Sequence, residues 1–219
     1  GRVMPASTRS DVLRWAYEKP SRYVVEDDYD SEFRYAGRLT LPLFAEDGRD
    51  RVIYLNTFSK TMVPSLRIGY MVLPPELMDA YRDQQGFYSC TVSSFEQFAL
   101  AEFIDSGAFE RHMNRMRNFY RKKRKALLKA LRESPLARRS TIEEYAAGTH
   151  FLLRVRTDLK RTDITQKGER LGLRISFFTD YSICDIDMPG QVTLVVNYAA
   201  IDPGRIDDVV DRLCQVFEP

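Results

Sequence analysis

Two apolar runs separated by a polar loop with a single lysine constrain the fold of this chain more than any other feature. The first run spans residues 52–55 and the second spans residues 68–73. Short apolar runs bounded by polar residues are typical of buried strands, so the segment predicts a strand, a loop and another strand. Loops at strand ends hold ligands and reactive groups in α/β proteins, which makes Lys60 in this loop a candidate.

Hydroxyl side chains and an arginine surround Lys60 in the sequence. Thr57, Ser59 and Thr61 stand close to it, and Arg67 directly precedes the second run. A lysine amine can act as a covalent group, and hydroxyls with an arginine can bind an anion. Taken alone, the loop is open to two interpretations: a solvated surface charge, or a covalent group beside an anion site.

An acidic run follows a predicted strand at residues 23–25. It consists of Glu26, Asp27 and Asp28, and Tyr29 comes next. Such a run can be a solvated turn. The alternative is a carboxylate held at the C-terminal end of the strand, where ligands bind to open α/β sheets.

The composition is that of an ordinary globular protein, and it argues against several functional classes. The 219 residues are 44% hydrophobic and 29% charged, and the net charge of +2 gives no overall field for nucleic acid or an anionic membrane. The distant Cys90, Cys184 and Cys214, with two histidines, predict neither a disulfide framework nor a zinc site. No apolar run reaches the length of a membrane span, and no signal-peptide pattern is present, so we expect a cytoplasmic protein.

Helix signals organise much of the remaining chain. Ser7 is a candidate N-cap, and hydroxyls three residues before Glu96 and Gln97 form a capping-box pattern. Residues 37–50 are predicted to be a surface excursion. The predicted helices span residues 8–18, 75 to about 85, 94 to about 105, 108–133, 162–171 and a last stretch from 203.

The final third of the chain alternates predicted strands and helices, which suggests a small α+β lobe. A polar connection over residues 135–148 leads to predicted strands at residues 150–155, 173–175 and 192–197. The long predicted helix would join this lobe to the first one.

One face of the long predicted helix is strongly basic. A nucleic-acid-binding patch and a solvated face between two domains are both possible interpretations, and the lack of interleaved aromatic residues favours the solvated face. The basic residues are Arg111, Arg115, Arg117, Arg121, Lys122, Lys123, Arg124 and Lys125.

Three separated segments supply residue types that suit one chemistry. A lysine that forms an imine with an aromatic aldehyde phosphate needs a carboxylate for the pyridine nitrogen, a phenol for the ring oxygen, and hydroxyls with an arginine for the phosphate. Asp27 and Tyr29 follow one predicted strand, Lys60 follows the next, and Arg67 opens the third. Together they predict a cofactor site at the strand ends.

These motifs resemble the aminotransferase-like domain of MocR/GabR-type bacterial transcription regulators, which belong to the fold-type-I, pyridoxal-phosphate-dependent aminotransferases. The resemblance is carried by residues 24–35, 57–61 and 66–70, and it extends through residues 91–101 and 109–120. The Glu-Asp-Asp-Tyr-Asp-Ser-Glu-Phe-Arg-Tyr run separates the regulators from ordinary aminotransferases, in which the tyrosine follows the aspartate by three positions instead of two.

The resemblance implies an α/β fold: an incomplete large domain with a mostly parallel sheet and helices, then a small C-terminal α+β domain. The implied bounds are residues 1–107 for the partial cofactor-binding domain, 108–133 for the inter-domain helix and 134–219 for the small domain. A winged helix-turn-helix, a linker and half of the large domain would precede the chain. We therefore expect exposed strand edges and apolar surface, or a second copy that covers them.

The resemblance also implies roles for individual residues. Lys60 would form a Schiff base with pyridoxal 5'-phosphate, Asp27 would pair with the pyridine nitrogen, and Tyr29 would bond the ring oxygen. The residues implied to hold the phosphate are Thr57 and Arg67, with Ser59 as a further candidate.

A regulator of this type would sense a small amine or amino acid through the cofactor, act as a homodimer and bind DNA through the absent N-terminal domain, with weak or vestigial transaminase activity. Aminotransferases grip the substrate carboxylate with an arginine of the small lobe, but Val195 stands at that position here. Arg174 or Arg154 could substitute, and surface ion pairs are the alternative role for both. Two other interpretations stay open: a free-standing class I/II aminotransferase, and a structural remnant that binds no cofactor.

Overall fold

The computed structural model describes residues 4–29, 32–33, 41–144, 148–181 and 189–218. Asp30, Ser31, Cys184 and residues 34–40 lie outside these ranges. The chain divides between Met116 and Arg117 into two compact units.

Helices and strands alternate along most of the chain. The α-helices are α1 (Ala6–Tyr17), α2 (Leu43–Glu46), α3 (Pro75–Gln85), α4 (Ser94–Asp105), α5 (Ala108–Glu133), α6 (Arg161–Arg170) and α7 (Ile206–Val216). The strands are β1 (Val24–Asp27), β2 (Val52–Thr57), β3 (Gly69–Val72), β4 (Ser140–Glu143), β5 (His150–Arg156) and β6 (Gln191–Asn197). In the described ranges, no helix combines the length and apolar character that crossing a membrane requires.

The first unit is built on a three-stranded sheet in the order β1-β2-β3. Strands β1 and β2 are parallel, with Val24 opposite Val52, whereas β2 and β3 are antiparallel, with Thr57 opposite Gly69. The described sheet is therefore mixed, where a mostly parallel one was expected, because the loop after β2 reverses the chain direction.

One face of this sheet is covered and the other is open. Leu13 of α1, Leu43 of α2 and Val52 form a buried cluster, and Val24 packs against it. Side chains alternate along a strand, so Val25 points to the opposite face, where it is 59% exposed. Other large apolar side chains of this unit are exposed as well, among them Tyr70, Met71, Tyr81, Phe87, Tyr88, Phe95 and Phe98.

The prediction that Ser7 caps the first helix is wrong. Helix α1 begins at Ala6, so Ser7 lies inside it, and Pro5 occupies the N-cap position. The fixed φ of Pro5 defines the start of the helix, and no side-chain hydroxyl caps its first N–H groups. Ser93 does stand at the N-cap of α4, but its side chain makes no capping bond.

The predicted surface excursion contains a helix that local sequence does not reveal. The first two backbone N–H groups of α2 donate to the Glu26 carboxylate at 2.6 and 2.8 Å. A carboxylate at a helix N-terminus satisfies donors that have no partner within the helix. Glu26 is distant in the sequence, so this stabilisation is visible only once the chain has folded.

The second unit contains an antiparallel sheet in the order β4-β5-β6. Strand β4 lies in the segment predicted to be a polar connection, and it forms because it pairs with β5. The strand predicted at residues 173–175 does not form. Directly after these residues, the Ser176 carbonyl accepts a hydrogen bond from the Val195 N–H, and Phe177 forms an isolated β-bridge with Leu194.

One residue of the predicted basic face is buried. Lys123 is 5% exposed, and its Nζ donates to the carbonyl oxygen of Ala199 at 2.8 Å. The amine lies 5.5 Å from the ring centre of Phe119 and 5.8 Å from that of Tyr120. Lys123 is therefore part of the interior of the second unit and does not belong to the solvated face.

Candidate functional site

The fold assigns different positions to the three consecutive acidic residues after β1. Glu26 holds the N-terminus of α2, and Asp28 accepts a hydrogen bond from the Tyr54 hydroxyl at 2.9 Å. Both bonds lie on the covered face of the sheet. Asp27 belongs to the opposite face by strand alternation, and it is exposed. Asp27 is thus the acid that is exposed at the end of the strand.

A buried polar network fixes this end of the sheet. The Asn56 side-chain amide donates to the Tyr54 hydroxyl at 2.9 Å and to the Glu32 carboxylate at 3.2 Å. Burial raises the pKa of the Tyr54 hydroxyl, and its hydrogen bond to the Asp28 carboxylate raises it further. Tyr54 therefore stays protonated at neutral pH and donates to Asp28.

Lys60 lies in a short turn directly after β2. The Met62 N–H donates to the Phe58 carbonyl at 2.9 Å, which closes one helical turn around the lysine. The Lys60 side chain is exposed, and its Nζ lies 5.7 Å from the centre of the Tyr29 ring. This distance allows a cation–π contact. The structure thus brings together the predicted lysine and the predicted phenol.

The predicted phosphate-binding hydroxyls brace the loop that carries Lys60. Thr57 Oγ1 donates to the Ile68 carbonyl at 3.0 Å, and Ser59 Oγ donates to the Leu66 carbonyl at 2.6 Å. The Ser59 N–H donates back to Thr57 Oγ1 at 3.2 Å. Thr57 Oγ1 also lies 3.1 Å from Ser59 Oγ. Both hydroxyls are thus hydrogen-bonded within the loop, and they would have to rotate out of these bonds to donate to a phosphate.

Arg67 and Gly69 complete this edge of the sheet. Arg67 is exposed next to the half-buried Leu66 and the buried Ile68, so its guanidinium is open to an anion. A Cβ atom on Gly69 would meet the Asn56 carbonyl oxygen at 3.2 Å. The sequence reasoning missed this constraint, although a glycine at the start of a strand is a signal of close backbone approach.

A histidine of α5 contacts the lysine turn, and the sequence reasoning missed this contact as well. His112 Nε2 lies 2.9 Å from the carbonyl oxygen of Thr61. The nearby Phe58 ring lies 5.9 Å from the Phe109 ring. The helical spacing of Phe109 and His112 could have indicated a shared face, but nothing local in the sequence indicates what that face contacts.

The second unit contains the two arginines proposed for a carboxylate. Arg154 of β5 forms an ion pair with Glu143 of β4, whereas Arg174 is exposed. Val195 is half-buried on β6, opposite Leu152. The alternative role for Arg154, a structural ion pair between strands, is therefore the one observed.

The donor set of the first unit has the chemistry that pyridoxal phosphate requires. It offers an amine that can condense with an aldehyde, a carboxylate for a pyridinium nitrogen, a phenol for a ring oxygen and a guanidinium for a phosphate. The residues that carry these groups are exposed at the ends of neighbouring strands. They are Lys60, Asp27, Tyr29 and Arg67.

Comparison with known proteins identifies the family of the chain. The family model described as aminotransferase class I and II matches residues 1–213. The chain is 36% identical over 213 residues to the uncharacterised HTH-type transcriptional regulator YdeL of Bacillus subtilis. The matched region covers 97% of the chain and 45% of YdeL. It is 36% identical over 203 residues to the probable rhizopine catabolism regulatory protein MocR of Rhizobium meliloti, covering 91% of the chain and 40% of that protein.

Solved aminotransferases share the fold. Pyrococcus horikoshii kynurenine aminotransferase superposes with a TM-score of 0.80 at 28% identity, covering 98% of the chain and 52% of the enzyme. LysN, the α-aminoadipate aminotransferase of Thermus thermophilus, was solved with N-(5'-phosphopyridoxyl)-L-leucine and superposes with a TM-score of 0.78 at 26% identity, covering 99% of the chain and 55% of LysN. The chain thus spans about half the length of these enzymes and less than half the length of the two regulators.

Proposed function

Since the chain belongs to the aminotransferase class I and II family, we propose that it binds pyridoxal 5'-phosphate and that Lys60 is the covalent attachment residue. The Lys60 amine would condense with the cofactor aldehyde, releasing one water and leaving a Schiff base. The observation that carries the proposal is the position of Lys60 Nζ, 5.7 Å from the Tyr29 ring, at the sheet edge where Asp27 is exposed.

The surrounding residues would have separate tasks. Asp27 would bind the protonated pyridine nitrogen, and Tyr29 would donate to the ring oxygen. Arg67 would supply the positive charge opposite the phosphate, and Thr57 and Ser59 would turn their hydroxyls from backbone carbonyls to phosphate oxygens. When bound, the cofactor supplies an electron-withdrawing ring that makes the α-carbon of an attached amine acidic.

We propose further that this domain senses a small amine or amino acid for a MocR-type transcription regulator in the cytoplasm. Support comes from the regulators YdeL and MocR, which match nearly the whole chain. DNA would be bound through a winged-helix domain of the longer protein. The exposed apolar side chains of the first unit, Phe95 and Phe98 among them, suit a protein–protein contact and support a homodimer.

An amino-acid effector would also need a partner for its carboxylate. Arg174 is the better candidate, because it is exposed, whereas an effector would have to displace Glu143 from Arg154. Val195 supplies no charge at the position where the family's arginine was expected. This difference favours sensing with weak or vestigial transamination over rapid turnover.

A free-standing aminotransferase is the second candidate function. It is favoured by the similarity to solved aminotransferases over 98–99% of the chain. The two functions differ in turnover, since a sensor needs only to bind its effector, whereas an enzyme must release a keto product and be regenerated.

One titration tests the proposal. Pyridoxal phosphate is added to the protein as its gene encodes it, and the visible absorbance of the Schiff base is recorded for wild type, Lys60→Arg and the control Lys19→Arg. We expect saturable absorbance in wild type and in the control only. Adding an L-amino-acid panel and assaying keto-acid release then separates a sensor from an enzyme. Equal absorbance in Lys60→Arg would rule out the proposed attachment residue.

A further inference from the structure

We propose that His112 is a positioning residue for Lys60. It lies in the first turns of α5, and its Nε2 is 2.9 Å from the carbonyl oxygen of Thr61, the residue after the lysine. A carbonyl oxygen can only accept, so the bond requires the hydrogen to be on Nε2. The functional part of this inference rests on the proposed role of Lys60.

The bond satisfies a group in the interior of the protein. Thr61 is 1% exposed. Its hydroxyl bonds back to the Phe58 carbonyl at 3.3 Å, and the same carbonyl accepts the Met62 N–H at 2.9 Å. A buried carbonyl without a donor is costly, so the bond from His112 stabilises the turn in this conformation.

Aromatic packing fixes the histidine and the turn against the same helix face. The His112 ring lies edge-on to Phe103 of α4, with centres 6.3 Å apart. One helical turn earlier, the Phe109 ring lies 5.9 Å from Phe58, the first residue of the lysine turn. Residues three apart on a helix share a face, so Phe109 and His112 hold both ends of the lysine turn.

Lys60 depends on this support because its own side chain is exposed. The path of its long side chain toward Tyr29 is set by the backbone of the turn. If the turn loosens, Nζ samples positions away from Tyr29 and Asp27, and fewer encounters with the cofactor aldehyde lead to condensation. His112 thus acts on the site through the backbone, without touching the cofactor.

Two substitutions separate the hydrogen bond from the packing. His112→Phe keeps an aromatic ring against Phe103 but removes the donor, whereas His112→Gln restores an N–H near the position of Nε2. Arg115→Gln, at an exposed position of the same helix, is the matched control. Hydrogen exchange of the peptide containing Met62 is measured without cofactor, and the rate of pyridoxal-phosphate capture by borohydride reduction is measured separately.

In His112→Phe we expect the Met62 amide to exchange about tenfold faster, equivalent to about 1.4 kcal/mol, and capture at Lys60 to slow several-fold. His112→Gln and Arg115→Gln should stay close to wild type in both measurements. Unchanged exchange in His112→Phe, or equal changes in the Phe and Gln variants, would overturn the role of the bond. Faster exchange with unchanged capture would overturn the positioning of Lys60. Wild-type protein that captures no cofactor would instead defeat the proposed function, and the exchange result would then decide the bond alone.

Discussion

Lys60 Nζ lies 5.7 Å from the centre of the Tyr29 ring, although the two residues follow different strands. They meet because β1 and β2 are parallel neighbours, with Asp27 opposite Leu55, so both strands end at the same edge of the sheet. The parallel pairing therefore places the residues that follow β1 and those that follow β2 in one exposed cluster.

Two adjacent carboxylates offer a direct test of this arrangement. Asp27→Asn should reduce affinity for pyridoxal phosphate about tenfold or more, because a charge-assisted bond to the pyridinium is lost. Its free energy of unfolding should change by less than about 0.5 kcal/mol, since the side chain is exposed. Cofactor titration and urea unfolding measure the two quantities.

The control, Asp28→Asn, should lower the free energy of unfolding more than Asp27→Asn does and cofactor affinity less. It removes the charge that accepts from Tyr54, so we expect a destabilisation of about 1–2 kcal/mol. Its effect on cofactor affinity should be the smaller of the two variants. A larger loss of affinity in Asp28→Asn than in Asp27→Asn would mean that the assignment of the two acids is reversed.

Local signals in the sequence were enough for the regular elements. The long helix Ala108–Glu133 has the predicted bounds, because its apolar positions recur at helical spacing over seven turns of chain and need no distant partner to be recognised. Helix α3 likewise begins at Pro75 and ends at Gln85, as predicted from proline in the first turn.

Features that depend on distant partners could not be predicted. Helix α2 is capped by Glu26, β4 forms by pairing with β5, and Lys123 is buried because it reaches the carbonyl of Ala199. At the candidate site, the residue types were recognised from the sequence, but the division of the acids between two sheet faces and the bond from His112 to Thr61 were not. A side chain's partner across the fold leaves no periodic trace in the sequence.

Asp47 should make the free energy of unfolding depend on pH in the acidic range. Burial alone would raise the pKa of its carboxyl, but hydrogen bonds from the Arg49 N–H, the Tyr17 hydroxyl and the Arg51 and Val52 N–H groups outweigh burial and lower it. A lowered folded-state pKa stabilises the fold above the unfolded-state pKa of about 4, and this contribution is lost as the pH falls through the folded value.

Asp47→Asn should therefore cost about 1–3 kcal/mol at pH 7, and its deficit against wild type should shrink below about pH 4. Urea unfolding across this pH range is the measurement. Asp79→Asn is a suitable control, because the Asp79 side chain is 82% exposed and its ion pair is with Arg82, one turn away on α3. A deficit that is independent of pH would contradict the electrostatic account of Asp47.

Lys123 should make the free energy of unfolding depend on pH above neutrality. Burial lowers the pKa of its amine, and the charge of Asp202 opposes this only in part. The unfolded chain then holds the proton more tightly, so wild-type stability should rise relative to Lys123→Met as the pH increases toward the unfolded-state value of about 10.4.

Urea unfolding of wild type and Lys123→Met between pH 7.5 and about 10 checks this slope. The exposed Lys129, four residues before Glu133 on the same helix, gives the matched control Lys129→Met. Parallel stability profiles for wild type and Lys123→Met would show that the buried amine does not titrate differently in the folded state.

The effector site can be tested by comparing an amino acid with its decarboxylated counterpart. If Arg174 binds the carboxylate, Arg174→Gln should weaken the binding of L-alanine to the cofactor-loaded protein about tenfold and leave ethylamine unaffected. Arg154→Gln should change neither, because Arg154 pairs with Glu143. The absorbance change of the cofactor reports binding. Weaker L-alanine binding in Arg154→Gln alone would reverse the assignment.

The site of covalent attachment tests the central claim most directly. The protein as its gene encodes it is incubated with pyridoxal phosphate, reduced with borohydride, digested and mapped by mass spectrometry. We predict that the modification is found on the peptide that contains Lys60, in one copy per chain, and that it disappears in Lys60→Arg. Modification spread over several surface lysines, or none on Lys60, would contradict the account.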